Sequence, residues 1–149
     1  MTSLPKESRG PGSYLSAIVK ADFDGDGKLD VAVTNSIDNS VTILLGNGDG
    51  TFGAPTAIPF GNQSDAIIAA DFSNDGKLDL AIANFADGTI TLLLGNGDGT
   101  FTPASASPYA VGPAGPYQLA SADFNGDGKL DLAVTNLNGS GSVSILLQH

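Results

Sequence analysis

Three stretches of the chain place oxygen-bearing side chains at alternate positions of a short, glycine-containing loop. In the first, Asp22, Asp24, Asp26 and Asp30 stand at positions 1, 3, 5 and 9, with Gly27 at position 6 and Lys28 at position 7. The second carries Asp71, Ser73, Asp75, Lys77 and Asp79 at the same offsets, and the third Asp123, Asn125, Asp127, Lys129 and Asp131. Such a pattern suits a hard cation. Ca2+ takes about six to eight oxygens at roughly 2.3–2.6 Å, and a curled loop of alternate carboxylates supplies them from few residues, with the position-7 carbonyl of Lys28, Lys77 or Lys129 turned inward. Mg2+ suits the pattern less, because it keeps several waters and demands stricter octahedral geometry. The expectation is about three Ca2+ per chain, with the Ser73 loop the weakest site, since a neutral hydroxyl replaces a carboxylate there.

A plain Asp/Gly turn would need only one or two such residues, and clustered like charges repel without a cation. Of the sixteen acidic residues, the loops hold four, three and three, so the net charge of −10 is concentrated rather than spread. An EF-hand is excluded. Its position 12 requires a bidentate acid between helices, whereas position 12 here is Val33, Ile82 or Val134. Two further acidic turns, at Asn47/Asp49 and Asn96/Asp98, read as hairpin turns, because Asn-Gly and Asp-Gly favour them.

The elements that must position these loops follow from an internal repeat. ADFDGDGKLDVAVTN, ADFSNDGKLDLAIAN and ADFNGDGKLDLAVTN start at Ala21, Ala70 and Ala122, and their first aspartates are 49 and 52 residues apart. Each unit reads as four short strands. An apolar run such as 66–70 (A) precedes the loop, a run such as 78–83 (B) follows it, and a turn leads to C at 41–45, 90–94 or 143–147. Strand D is expected to begin at Thr51-Phe52 or Thr100-Phe101. Asn35, Asn84 and Asn136 recur 13 residues after each loop's first Asp and are expected to bond backbone at the end of strand B. Short strands, tight turns and a period near 50 residues describe propeller blades. The reading is therefore an all-β propeller of three four-stranded blades in one repeat domain, with units of about 2–50, 51–99 and 100–148, each ordered D-A-loop-B-C. Little helix is expected, given 20 Gly and an excess of Asp over Glu.

Three blades are too few to close a ring, since propellers have about four to eight. The expected partner is a second copy, giving a homodimeric six-bladed ring in which residues 2–8 of one chain complete the third blade of the other. A fragment of a longer propeller is the competing expectation.

The D-x-D-x-D-G-x-x-D loop between strands, at this spacing, resembles the FG-GAP/VCBS repeats of integrin α-subunit propellers, fungal integrin-like lectins and secreted bacterial proteins. The resemblance covers residues 2–148, departing from integrins in its three units and its Gly-Asn-Gly-Asp-Gly turns. It implies calcium ligands at the loop positions named above, in a structural rather than catalytic role, and an origin in a secreted or cell-surface parent protein. No signal peptide is read in residues 1–14, and no run approaches a membrane span.

For function, a non-enzymatic binding or adhesion module is expected. Its ligand would be carbohydrate or protein, with Tyr14, Tyr109 and Tyr117 near the D-to-A linkers available to stack on sugars or pack a rim. A purely architectural ring is the alternative. Enzymatic chemistry finds little support: there is no Cys, one Glu (Glu7) and one His, the C-terminal His149. The acidic balance disfavours nucleic acid and anionic membranes.

Overall fold

In a computed structural model of the protein, residues 14–112, 115–137 and 141–148 are described. They form twelve strands in three antiparallel sheets, with no helix among the described residues. The first sheet runs β1 (Leu15–Ala21), β2 (Asp30–Asn35), β3 (Ser40–Leu44), β4 (Thr56–Pro59) in spatial order. The second follows the same order with β5 (Ser64–Ala70), β6 (Asp79–Asn84), β7 (Thr89–Gly95) and β8 (Phe101–Pro103); β9 (Tyr109–Ala110) also pairs with β7. In the third, β10 (Pro116–Ala122), β11 (Asp131–Asn136) and β12 (Ser142–Leu146) have no fourth neighbour among the described residues.

The expected A, B and C strands are present within a residue or two. Strand D is where the reading needs correction. In the first sheet Phe52 makes only an isolated bridge to Gly46, and the strand proper starts at Thr56. In the second, the D edge is split, with β8 pairing the end of β7 at Leu93–Gly95 and β9 pairing its start at Thr89 and Ile90. Ala104 N still donates to the Leu92 carbonyl at 3.0 Å, and residues 105–108 leave the ladder between them. The expected completion of the third sheet by residues 2–8 lies outside the described residues.

The sheets stack face to face, and this explains why their central strands are apolar on both sides. A strand with one wet face would alternate; β6 instead is buried at every position from Asp79 to Asn84. Register shows which side chains share a face. In the first sheet Ala32 pairs with Ile43 and Thr34 with Val41, while Val31 and Val33 face the other way beside Leu44 and Thr42. One buried cluster, including Phe23, Ile43, Ile67, Leu80 and Ile82, glues the first sheet to the second. Another, including Phe72, Ala83, Ile90, Leu132 and Val134, glues the second to the third. Each first strand carries an irregularity near its start, between Leu15 and Ala17, Ser64 and Ala66, or Pro116 and Gln118. In the first and third sheets a threonine hydroxyl of strand B replaces the lost ladder acceptor: Thr34 Oγ1 accepts from Ala17 N at 3.0 Å and Thr135 Oγ1 from Gln118 N at 3.1 Å. Ala83 holds that place in the second sheet and has no hydroxyl to offer.

Candidate metal centre

Each acidic loop joins the first strand of a sheet to the second, and its first aspartate organises the curl. Asp22 accepts hydrogen bonds from Gly25 N (2.8 Å), Asp26 N (3.1 Å) and Gly27 N (2.9 Å). Asp123 repeats the set with Gly126 N, Asp127 N and Gly128 N at 2.7, 3.1 and 2.8 Å. Asp71 accepts from Asp75 N and Gly76 N at 3.1 and 2.8 Å. To bring those N–H groups round, the backbone turns left-handed twice, at Gly25 and Gly27, at Asn74 and Gly76, and at Gly126 and Gly128. Glycine meets that demand without a Cβ penalty, and Asn is among the few other residues that tolerate it. The position-4 requirement was missed in reading the sequence. Its signal was present as Gly, Asn, Gly at one offset in all three loops.

Position 9 does something the spacing did not reveal. Asp30 is fully buried, with Oδ2 accepting from Phe23 N and Oδ1 from Gly46 N, both at 2.7 Å. Asp79 accepts from Ser73 N and Gly95 N, both at 2.8 Å. Asp131 accepts from Phe124 N at 3.0 Å and Gln148 N at 2.9 Å. Each of these carboxylates therefore ties the start of its loop to the end of the third strand. A carboxylate offers about four lone-pair sites, so an oxygen held by one N–H keeps capacity for a cation.

The structure brings Asp22, Asp24 and Asp30 together, with one carboxylate oxygen from each lying within 4.8 Å of the others. Two oxygens on opposite sides of one Ca2+ stand about 4.6–5.2 Å apart, twice the bond length, so these three fit a shared ion. It is the one such group of three acidic side chains among the described residues. The matching positions in the other loops are Asp71, Ser73, Asp79 and Asp123, Asn125, Asp131, each offering two carboxylates and one neutral oxygen.

Position 5 is turned aside. Asp26 Oδ1 accepts from Lys28 N at 2.9 Å and Oδ2 pairs with Lys28 Nζ at 2.5 Å. Asp75 accepts from Lys77 N at 3.0 Å, with Lys77 Nζ 3.4 Å away, and Asp127 accepts from Lys129 N at 2.9 Å. Lys28 and Lys77 are exposed at the loop tips, and Lys129 is half-buried.

Charge is felt inside the first loop. Lost hydration, and then the carboxylates of Asp26, Asp30 and Asp22, raise the Asp24 carboxyl above the ordinary aspartate range, against the opposing Asp26 N–H. The Lys28 ammonium and N–H hold Asp26 below that range. In the third loop the Gly128 N–H leads the groups that lower Asp123.

The remaining candidates fall elsewhere. Asp49 and Asp98 cap their own turns by accepting from Thr51 and Thr100 N–H, both at 2.9 Å, as hairpin turns require. Asn35 Oδ1 accepts from the backbone of Ile37 and Asp38, both at 3.3 Å. The expectation of backbone bonding needs correction at the other two. Asn84 Nδ2 donates to the hydroxyls of Thr89 and Thr91, and Asn136 Nδ2 to those of Ser142 and Ser144, whereas Asn35 Nδ2 donates to Asp38 Oδ2 at 2.7 Å although Ser40 and Thr42 hold the same register places. Both Asn Oδ1 atoms are buried without a hydrogen-bond partner among the described residues. Tyr14 and Tyr117 are exposed, and Tyr109 is half-buried on β9.

Comparison with known families gives one match. The model of the FG-GAP-like repeat aligns twice, to residues 22–82 and to residues 71–134. No curated protein matches the chain at a significant level.

Proposed function

Because the chain belongs to the FG-GAP-like repeat family, we propose that it is a calcium-stabilised propeller-type scaffold serving binding or adhesion. The observation that carries this reading is the gathering of Asp22, Asp24 and Asp30 in a loop that the chain repeats twice more. In the first site Asp22, Asp24 and Asp30 would hold the ion, with the Lys28 carbonyl and Asp26 as further oxygens. In the second, Asp71, Ser73, Asp75, Lys77 and Asp79 correspond, and in the third Asp123, Asn125, Asp127, Lys129 and Asp131. When bound, Ca2+ neutralises the clustered carboxylates and rigidifies the loop. Three ions would take six units from the net charge of −10.

The role is structural rather than catalytic. Calcium-assisted chemistry needs an acid or base beside the ion, and the acids around each loop are either candidate ligands or occupied with backbone N–H groups. A secreted or cell-surface setting agrees with the family and supplies calcium to sites of modest affinity. Exposed Tyr14 and Tyr117 favour a carbohydrate or protein ligand at the ends of the first strands.

Calorimetric titration with CaCl2 tests the metal reading, and about three ions per chain are expected, together with a rise in melting temperature that EGTA reverses. No binding heat and no thermal shift at millimolar calcium would refute it. Glycan-array binding in calcium, abolished by Tyr14→Ala or Tyr117→Ala, tests the carbohydrate reading; an array blank in calcium refutes it.

A further inference from the structure

Repeat-equivalent residues meet unequal environments, and the inequality follows a rule. Ile67 faces the first sheet and is 7% exposed, whereas Ile18, its counterpart four residues before the loop, is 68% exposed. Leu29, counterpart of the half-buried Leu78, is likewise exposed. At the other end, Val41 and Ile43 cover the second sheet at 0% and 2% exposure, but their counterparts Val143 and Ile145 stand at 63% and 48%. Phe23 and Phe72 are buried between sheets, while Phe124, at the same loop position, is 49% exposed. The outward face of the first sheet is thus the kind of face that the chain covers at its second sheet. The outward face of the third sheet is the kind that does the covering.

The contacts of the internal junction show how closely the two free faces correspond. Phe23 meets Phe101 edge to face, with ring centroids 5.5 Å apart. The Phe23 carbonyl accepts from Gly99 N at 3.2 Å. Leu45 lies over Gly99, where an added Cβ would come within 2.7 Å of its methyl carbon. The repeat gives each member a counterpart left over at the ends. Phe124 and Leu147 on the third sheet correspond to Phe23 and Leu45, and Phe52 and Gly50 on the first correspond to Phe101 and Gly99. Phe52, Phe124 and Leu147 are all exposed, and a Cβ on Gly50 would meet nothing within 4 Å.

We propose that two copies of the chain associate head to tail, the outward face of the third sheet of each docking on the outward face of the first sheet of the other. Phe124 then meets the partner's Phe52 as Phe23 meets Phe101, Leu147 covers the partner's Gly50, and the Phe124 carbonyl accepts from that glycine's N–H. A face that fits a different face of the same chain makes rings if the rotation closes and filaments if it does not. Here the ring closes at two copies, because six is the multiple of three within the range of about four to eight sheets over which propellers close.

The edge of the third sheet, which has no fourth strand among the described residues, agrees. A cavity of about 200 Å3 lined by Phe72, Leu130, Leu132, Leu146 and Gln148 lies between the second and third sheets. Gln148 is the counterpart of Gly95, the residue paired with Phe101 in the second sheet. The cavity is therefore the place that a fourth-strand side chain fills elsewhere.

Light scattering on the whole chain in calcium buffer at tens of micromolar should give twice the mass of one 14.9 kDa chain. Phe124→Glu should return the mass to one chain with the circular dichroism spectrum unchanged. Because the chain has no cysteine, cross-linking gives an independent reading that does not depend on that variant. The double variant Phe52→Cys/Phe124→Cys should form covalent dimers with a short bismaleimide, while neither single variant should. A monomeric wild type would overturn the proposal and leave the two faces to other blades or another protein. Open-ended larger species, a dimer that survives Phe124→Glu, or efficient cross-linking of either single variant would overturn it equally.

Discussion

Asp79→Asn separates the two jobs that the position-9 carboxylate can perform, tying backbone and holding a cation. Asp79 is fully buried and receives Ser73 N and Gly95 N, each at 2.8 Å. Hydrogen bonds to a charged group contribute about 1.5–3 kcal/mol each. The amide keeps one acceptor oxygen, now uncharged, and turns an NH2 toward the other N–H. That leaves a buried donor unsatisfied, at about 1–3 kcal/mol. The expected loss is about 2–4 kcal/mol without any metal, a large part of the roughly 5–15 kcal/mol that holds a domain folded. At about 2–4 °C per kcal/mol for a chain near this size, melting should fall by about 4–16 °C. The second loop is the right place for the test. In the first, neutralising Asp30 also relieves repulsion from Asp22 and Asp24, which offsets part of the cost.

The assay is urea and thermal unfolding in EGTA, followed by the same curves in calcium. Asp75→Asn serves as the comparison, since its carboxylate is exposed and holds only the Lys77 N–H and ammonium, so its cost in EGTA should be well below that of Asp79→Asn. A loss below about 0.5 kcal/mol for Asp79→Asn in EGTA, with a large loss only in calcium, would refute the reasoning and make Asp79 a ligand alone.

Three further outcomes are expected. Ser73→Asp gives the second loop the donor set of the first, so calorimetry should show its calcium affinity rise by on the order of tenfold while its stability in EGTA falls. Gly95→Ala should destabilise by at least about 1–3 kcal/mol in urea unfolding, because an added Cβ would stand 2.1 Å from the Leu78 carbonyl oxygen; Gly53→Ala, with only an ordinary contact at 3.6 Å, should be nearly neutral. In EGTA, acid titration followed by circular dichroism should show stability declining as the pH falls below about 4, the ordinary aspartate range. Asp26, Asp49, Asp75, Asp87, Asp98 and Asp123 are depressed in the folded state, each by hydrogen bonds to its charged form, against Asp24 and Asp65 raised chiefly by desolvation. A depressed carboxyl contributes stability above its unfolded pKa that disappears as the pH falls through its folded one, and the depressed group is the larger.

How far the sequence could be read depended on whether a feature repeats and whether it is local. The loops, their flanking strands and the turns at Asp49 and Asp98 recur at fixed offsets, and period-2 and loop chemistry act within a few residues. The D edge failed because no local signal says that residues 105–108 leave the ladder and return at Tyr109. The backbone tie of Asp30 joins residues 16 apart and forms only when the third strand comes back to the loop. The hydroxyl partners of Asn84 and Asn136 depend in the same way on a neighbouring strand. Exposure at Phe124 was invisible for another reason: the Phe of the same triplet Ala-Asp-Phe is buried twice and open once, and the difference lies in which sheet stands next to it.

These ties place the candidate cation sites and the sheet junctions in one mechanical unit. Phe23 supplies its ring to the core between the first two sheets and its N–H to Asp30. Phe124 N donates to Asp131 in the same manner at the outward face. A cation that draws Asp22, Asp24 and Asp30 together therefore also fixes the backbone from which the aromatic plug projects. By mass action, each site saturated at 100 times its dissociation constant adds about 2.7 kcal/mol to the folded state. In the first loop that stabilisation falls on the segment that joins one sheet to the next, so calcium removal should loosen the Phe23–Phe101 contact before it disturbs β6. Hydrogen exchange with and without EGTA would show it: protection at Phe23 and Gly99 N–H should fall first, and equal loss at Ile82 would mean that the loops stabilise the chain only globally.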